Sequence, residues 1–250
     1  MPKNRADLLP TDSPGQQARL PGAIIAVVGC DGSGKSTLTA DMFARLCERR
    51  PAALLYLGQS SGNILEGIRG VPLIGPALGR YLQRRSTRAH AKDDKPASPD
   101  IATALVIHLL SRWRHHKFGR MLALSRRGVV VITDRYPQAE VPGFWFDGPG
   151  LTATGTTKAF VRWLAKRELR LYRRMASHVP TLLIRLDIDA DTAHGRKPDH
   201  TLAMLREKAR VIPVLQFNGA HILDLDGRAP YPQVLQAALT ATDAAIGSRP

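Results

Sequence analysis

The chain has 250 residues, 44% of them hydrophobic, with 36 Lys+Arg against 21 Asp+Glu and a formal net charge of +15. This composition supports a buried core and excludes a disordered chain, while two cysteines exclude a disulfide-stapled fold. The longest apolar stretch, Ile101–Leu110, is far short of the ~20 residues that span a bilayer, and no apolar signal segment opens the chain, so a cytoplasmic protein is expected.

Residues 1–20 are polar and aperiodic, and read as a flexible N-terminal arm ahead of one domain over 21–250. Ala23–Val28 is a continuous, largely β-branched apolar run, which suits a strand buried on both faces. Leu38, Met42, Phe43, Leu46 and Cys47 then recur at helical spacing and predict a helix over Ser36–Arg50. A second strand, Ala52–Leu57, ends at Gly58. Residues 60–100 are irregular, broken by Pro72, Pro76, Pro96 and Pro99, with a short helix over 77–85. A long helical pattern runs from Ile101 to about Arg126 and stops at Gly128. Val129–Thr133 is a third strand, 142–155 a loop, 157–176 a basic helix, and Thr181–Leu186 a fourth strand. A helix over Thr201–Phe217, a fifth strand over His221–Asp226 and a terminal helix over Tyr231–Ala245 complete the chain. Strands alternating with helices predict an α/β fold, a five-stranded parallel sheet in a three-layer α/β/α sandwich.

The positive charge is concentrated. Between Arg80 and Arg127 lie twelve Lys/Arg against Asp93, Asp94 and Asp100, and between Lys158 and Arg174 seven against Glu168. These two segments account for the whole net charge. Two readings stand: solvated basic helix faces, or a surround for a polyanionic ligand.

Gly29-Cys-Asp-Gly-Ser-Gly-Lys35-Ser36 fits the phosphate-loop pattern G-x-x-x-x-G-K-[ST], with a strand before it and a helix after. Gly29, Gly32 and Gly34 let the backbone wrap a phosphate, Ser33 and Thr37 complete the loop and first helical turn, and Lys35 can neutralise the outer phosphates. The Ser36 hydroxyl is placed to hold Mg²⁺, so ATP and Mg²⁺ are the expected cofactors. Cys30 sits at the helix N-terminus, a setting that can lower a thiol pKa. The third strand runs into Asp134-Arg135-Tyr136, at a strand end where open α/β sheets place ligands. Asp134 there can hold Mg²⁺ through water. The following Arg135, standing where a hydrolytic ATPase would carry a water-polarising Glu, suits a second anion and favours phosphoryl transfer over hydrolysis.

Gly29–Thr37 together with Asp134-Arg-Tyr136 resembles thymidylate kinase, of the nucleoside monophosphate kinase superfamily. The resemblance extends to Ser111-Arg112-Trp-Arg-His115, Leu183–Asp187, Arg196-Lys197 and Ile222–Asp226, and covers about 22–59 and 101–247. It implies that Asp31 faces the acceptor and that Arg135, with neighbouring Tyr136, binds the acceptor phosphate. It implies also that Arg112 binds the acceptor, that Arg196 lies over the transferring phosphates or adenine in a short lid at 195–201, and that the loop after Asp226 borders the adenine. Residues 60–100 would be an acceptor-side insertion, and the protein a homodimer. The chain departs from the family at Gly58-Gln-Ser-Ser-Gly62, at Pro137–Gly150 and in the brevity of the lid. Asp134-Arg-Tyr-Pro137, Asp147-Gly-Pro149 and Arg196-Lys-Pro198 resemble a divergent group associated with bacterial surface-polysaccharide genes, in which Glu140 and Asp147 would bond acceptor hydroxyls or, alternatively, close their own loop.

The expected activity is ATP-dependent transfer to a small-molecule acceptor such as dTMP. The alternatives are a sugar or glycan-linked acceptor, or a nucleotide-gated module whose basic helices engage an anionic surface. Nucleic acid is not expected, since no helix-turn-helix or zinc-finger signature appears. His115-His116 point about 100° apart on a helix and do not form a metal pair. Trp113, Phe144, Trp145, Phe146 and Trp163 suit packing or stacking on a ring.

Overall fold

The computed structural model describes residues 22–58, 99–146, 148–151 and 158–247. The expected N-terminal arm, the 60–100 insertion except its last two residues, and Asp147 lie outside these. The described strands are β1 (Ala23–Gly29), β2 (Ala52–Tyr56), β3 (Val130–Asp134), β4 (Leu182–Asp187) and β5 (Ile222–Asp226). They form one all-parallel sheet in the order β2-β3-β1-β4-β5. The helices are α1 (Lys35–Cys47), α2 (Ile101–Arg126), α3 (Ala159–Ala176), α4 (Ala190–Arg196), α5 (Leu202–Val211) and α6 (Tyr231–Gly247).

The burial of β1 explains its composition. Every residue of Ala23–Gly29 is buried, because β1 is the central strand and helices cover both faces. On one face Ile25, Val27, Ile132 and Ile184 pack with Leu38, Met42 and Leu46 of α1 and Val234 and Ala238 of α6. On the other, Ile24, Ala26, Val28 and Val131 meet Phe118 and Met121 of α2 and Tyr172 and Met175 of α3. Alternate residues of each strand therefore feed opposite layers, which completes the three-layer sandwich.

Two elements differ from the sequence expectation. The predicted helix over 201–217 ends as α5 at Val211, followed by a 3-10 turn over Ile212–Val214 that carries Pro213. Arg185 of β4 fixes this turn to the sheet edge, donating to the carbonyls of Ile212 (3.2 Å) and Leu215 (3.0 Å) while pairing with Asp224 of β5. Helix α4 has no counterpart in the sequence reading. Its seven residues are too few to show a period, yet Asp189 caps it, accepting from Thr192 N at 2.7 Å. The long helix is read correctly, and Asp100 caps it through Thr103 N at 2.7 Å.

Candidate functional site

The site lies at the carboxyl edge of the sheet. β1 delivers Gly29 there and β3 delivers Asp134, the register pairing Val27 with Asp134 across the two strands. The chain turns through Cys30–Gly34 into α1, whose N-cap, Gly34, takes a left-handed conformation (φ 91°). Gly32 is also left-handed (φ 86°), and a Cβ there would stand 2.6 Å from the carbonyl oxygen of Ala193, so α4 packs directly on the loop. Ser33 Oγ is buried in this loop with no hydrogen-bond partner among the described residues. Lys35 reaches back over it, its Nζ donating to the Cys30 carbonyl at 2.6 Å.

Three cations meet at Asp31, which is 7% exposed. Lys208 of α5 makes a close charge-assisted hydrogen bond to its Oδ2, and the Arg135 guanidinium lies 3.6 Å from its Oδ1. Burial pushes the Asp31 carboxyl up, but Lys208, Lys35 and Arg135 outweigh it and hold it well below the usual carboxylate range. Burial pulls Lys35 down to about 8 against the opposing effect of Asp31. Asp31, Lys35, Arg135 and Lys208 share a narrow cavity with Val28, Gly29 and Phe146. One carboxylate among three cations leaves this cavity with a surplus of positive charge, which is the electrostatics of an anion site.

Arg135 is held with care. Its backbone has φ 55°, a conformation that non-glycine residues rarely adopt. Arg114 of α2, 1% exposed, donates through Nη2 to the Arg135 carbonyl at 2.8 Å and through Nη1 to the Phe146 carbonyl at 2.8 Å, with its guanidinium 5.2 Å from the centre of the Tyr172 ring. The Arg135 guanidinium itself lies 5.8 Å from the centre of the Tyr56 ring, at the end of β2. On the opposite side, Arg196 donates to the Gly227 carbonyl at 3.0 Å and approaches the Gly32 carbonyl at 3.5 Å. The end of α4 is thereby bound to both the phosphate loop and the turn after β5. Asp226 in that turn accepts from Arg228 N and Nε, each at 2.9 Å.

The structure thus brings Asp31, Lys35, Arg135 and Arg196 to one edge, with Ser36 and Thr37 exposed in the first turn of α1 and Asp134 buried at the tip of β3. Ser36 hydroxyl and Asp134 carboxylate are hard oxygen donors on adjacent elements, a donor set that fits Mg²⁺. Three expected residues have other surroundings. Arg112 lines a groove between α2 and α3 with His108, Arg167, Arg170, Leu171 and Arg174, rather than the phosphate-loop cavity. Tyr136 is 1% exposed, packs on Phe118 and donates to the His178 carbonyl at 3.1 Å; burial raises its phenol pKa. Glu140 ties its loop to the distant segment before β5, its two oxygens accepting from Gln216 N and Asn218 N at 2.7 Å each. Burial also pushes the Cys30 thiol up despite Lys35, so the helix N-terminus does not activate it.

Two residues of this edge escaped the sequence reading. Arg114 enters the sequence reading only as one of the bases of the stretch over 80–127, although Leu110, Arg114, Phe118 and Met121 fall on one buried row of α2, a signal the sequence carries. Lys208 had no such signal, because only the packing of α5 beside the loop gives it a role.

No protein-family model matches the chain. It is 55% identical over 226 residues to the uncharacterized ATP-binding protein YghS of Escherichia coli K12, covering 90% of this chain and 94% of that one. It is 42% identical over 222 residues to the uncharacterized ATP-binding protein YghR of the same strain, covering 89% of this chain and 87% of that one.

Proposed function

The chain belongs to the family of ATP-binding proteins that includes YghS and YghR, and from that premise we propose that it is a Mg²⁺- and ATP-dependent phosphotransferase of thymidylate kinase type, acting on a small acceptor that itself carries a phosphate. The observation that carries this reading is the placement of Arg135 and Lys208 on Asp31, beyond Lys35. They supply positive charge on the side of the loop where a second anionic substrate would enter.

In this reading the loop 29–34 and Lys35 hold the β- and γ-phosphates, with Ser33 Oγ available to a phosphate oxygen. Ser36 and Asp134 would hold Mg²⁺, which would supply neutralisation of the charge that develops on the phosphates. Arg196, anchored to Gly227, covers the donor from the α4 side. Arg135 and Lys208 align the acceptor phosphate. One of its oxygens attacks the γ-phosphorus as the bond to the β-phosphate oxygen breaks and ADP leaves. That oxygen is already anionic at neutral pH, so no base is required. Asp31, held ionised, positions the two cations instead of taking a proton. Catalysis then rests on alignment and charge neutralisation.

The test is ADP release by the full chain with ATP and Mg²⁺. Nucleoside monophosphates including dTMP, sugar phosphates and free sugars are the arms, and Lys35→Ala is the control. Stimulation by a phosphate-bearing acceptor is expected. Release that no acceptor stimulates would make the protein a hydrolase, and stimulation by phosphate-free acceptors alone would remove the role given to Arg135 and Lys208.

A further inference from the structure

The outer face of α2 and α3 lies apart from the phosphate-loop cavity and carries chemistry that phosphoryl transfer does not use. The two helices pack side by side through Ala104, Ile107, Leu110, Val161, Leu164 and Ala165. On their solvent side runs the groove of about 450 Å³ that Arg112, Arg167, Arg170 and Arg174 line. α2 contains no Asp or Glu. α3 contains only Glu168, which is 1% exposed and already accepts from Ser111 Oγ, Gly150 N and Leu151 N. The arginines of this groove therefore have no carboxylate from either helix to neutralise them.

The same face is apolar. Among the described residues ten large hydrophobic side chains are exposed, and six of them are on these two helices. Ile101, Leu105, Leu109 and Trp113 recur every fourth residue, forming one row along α2, with Leu109 54% exposed. On α3, Phe160 and Trp163 stack with ring centres 5.7 Å apart, and the Arg167 guanidinium stands 4.7 Å from the centre of the Trp163 ring.

We propose that this face docks on an anionic phospholipid surface, its arginines taking the headgroup phosphates while the α2 row, Phe160 and Trp163 enter the boundary between headgroups and acyl chains. The chemistry fits on both counts. Guanidinium groups pair with phosphate through paired N–H donors and shed water more readily than ammonium groups. Aromatic and aliphatic side chains beside a basic stripe are the composition of helices that lie in a membrane interface. No helix among the described residues is long and apolar enough to cross a membrane, and the attachment proposed is a peripheral one. A second copy of the chain fits poorly, because neither helix presents a carboxylate and a symmetric pairing sets arginine against arginine. Single-stranded nucleic acid would use ring faces, yet Phe160 and Trp163 cover one another, Trp113 stacks on His116, and Ile101, Leu105 and Leu109 offer a base nothing to stack on.

The proposal is independent of the phosphotransferase reading, and its test does not need the acceptor. The full chain is mixed with vesicles of phosphatidylcholine alone or with added phosphatidylglycerol, and pelleted protein is measured across salt concentration. Binding to the anionic vesicles only, weakening with salt and accompanied by a blue shift of tryptophan fluorescence, is expected. The triple variant R167Q/R170Q/R174Q should lower partitioning at least about tenfold, and L109S/W163S should lower it without any change of charge. Both should keep the circular dichroism and the binding of a fluorescent ATP analogue. Failure of the folded protein to bind anionic vesicles overturns the proposal. So does loss in the arginine variant alone, which is simple adsorption, and so does a dimer that L109S/W163S dissociates. Binding to an oligothymidylate that both variants abolish, with vesicle binding intact, assigns the face to nucleic acid instead.

Discussion

Positive charge at the carboxyl edge of the sheet and positive charge on the outer face of α2 and α3 differ in what holds it. At the edge, Lys35, Arg135 and Lys208 surround one buried carboxylate, and Arg114 pins the backbone of Arg135. On the outer face, Arg112, Arg167, Arg170 and Arg174 share a groove to which α2 and α3 present no carboxylate. The first set stands in a narrow cavity, where the cations and the carboxylate shift the pKa values of Asp31 and Lys35. The second faces solvent, where it acts as a field screened within about 8 Å at physiological salt. A cation is thus committed to geometry where a buried carboxylate fixes it and to attraction where none does.

The widest separation between the two regions is expected from Lys35→Ala. Turnover should fall by about 10²–10³, the cost of losing one fixed transition-state contact, while vesicle partitioning stays as in the parent. Loss of both together would show that the regions are one. Arg114→Met tests whether the edge depends on its scaffold. It leaves two carbonyls without donors and is expected to cost about 2–4 kcal/mol in urea unfolding. Arg114→Lys should recover part of the loss, and in either variant the acceptor KM should rise more than kcat falls.

The pH dependence separates the regions by about a factor of ten. Lys35 has a folded value of about 8 against an ordinary 10.5, so the nucleotide-free protein sheds this proton as pH passes 8. Phosphates need the charged form. Nucleotide affinity should be level below pH 8 and weaken by about tenfold per unit above it, with one proton taken up on binding. Calorimetry in two buffers of different ionisation enthalpy measures that proton. The effect on folding has the opposite sign. A lysine whose folded pKa is depressed opposes folding while protonated, so this contribution to stability rises between pH 8 and 10.5. A nucleotide affinity that is level through pH 9 would contradict the burial of Lys35.

The regular parts of this architecture were legible in the sequence because each carries its own period. The sheet followed from continuous apolar runs such as Ala23–Val28, and α2 from a long pattern closed by Gly128. The phosphate loop was legible because G-x-x-x-x-G-K-[ST] encodes a left-handed backbone conformation that Gly34 does adopt. Residues whose roles depend on distant partners were not. Lys208 and Asp31 are 177 positions apart and meet only because α5 packs against the loop. Glu140 was open between ligand and loop closure, and only the position of Gln216 and Asn218 shows that its oxygens are spent on backbone N–H groups. Arg112 and Arg114 are two residues apart on one helix, and the turn between them sends one to a solvent groove and the other into the core. A motif match across this helix could not distinguish them, whereas the row Leu110, Arg114, Phe118 could.

The smallest expected effect concerns Arg170, and its sign is informative. Within α3, Arg170 has Lys166 and Arg174 four residues away and Arg167 and Arg173 three away, so all four of its closest helical neighbours in charge carry the same sign. Each like pair opposes the helix by a few tenths of a kcal/mol at low salt. Gln has a helix propensity close to that of Arg, so the substitution changes charge and little else. Arg170→Gln should therefore stabilise the protein, by about 0.5 kcal/mol at low ionic strength, and the gain should vanish as salt screens the repulsion. Thermal unfolding at low and high salt measures it. A destabilisation insensitive to salt would mean that Arg170 is held by a carboxylate after all, and the outer face would then belong with the edge as a fixed site. A gain that salt removes keeps the contrast, because it shows that the row of charges opposes the helix that bears it and that no carboxylate offsets the repulsion.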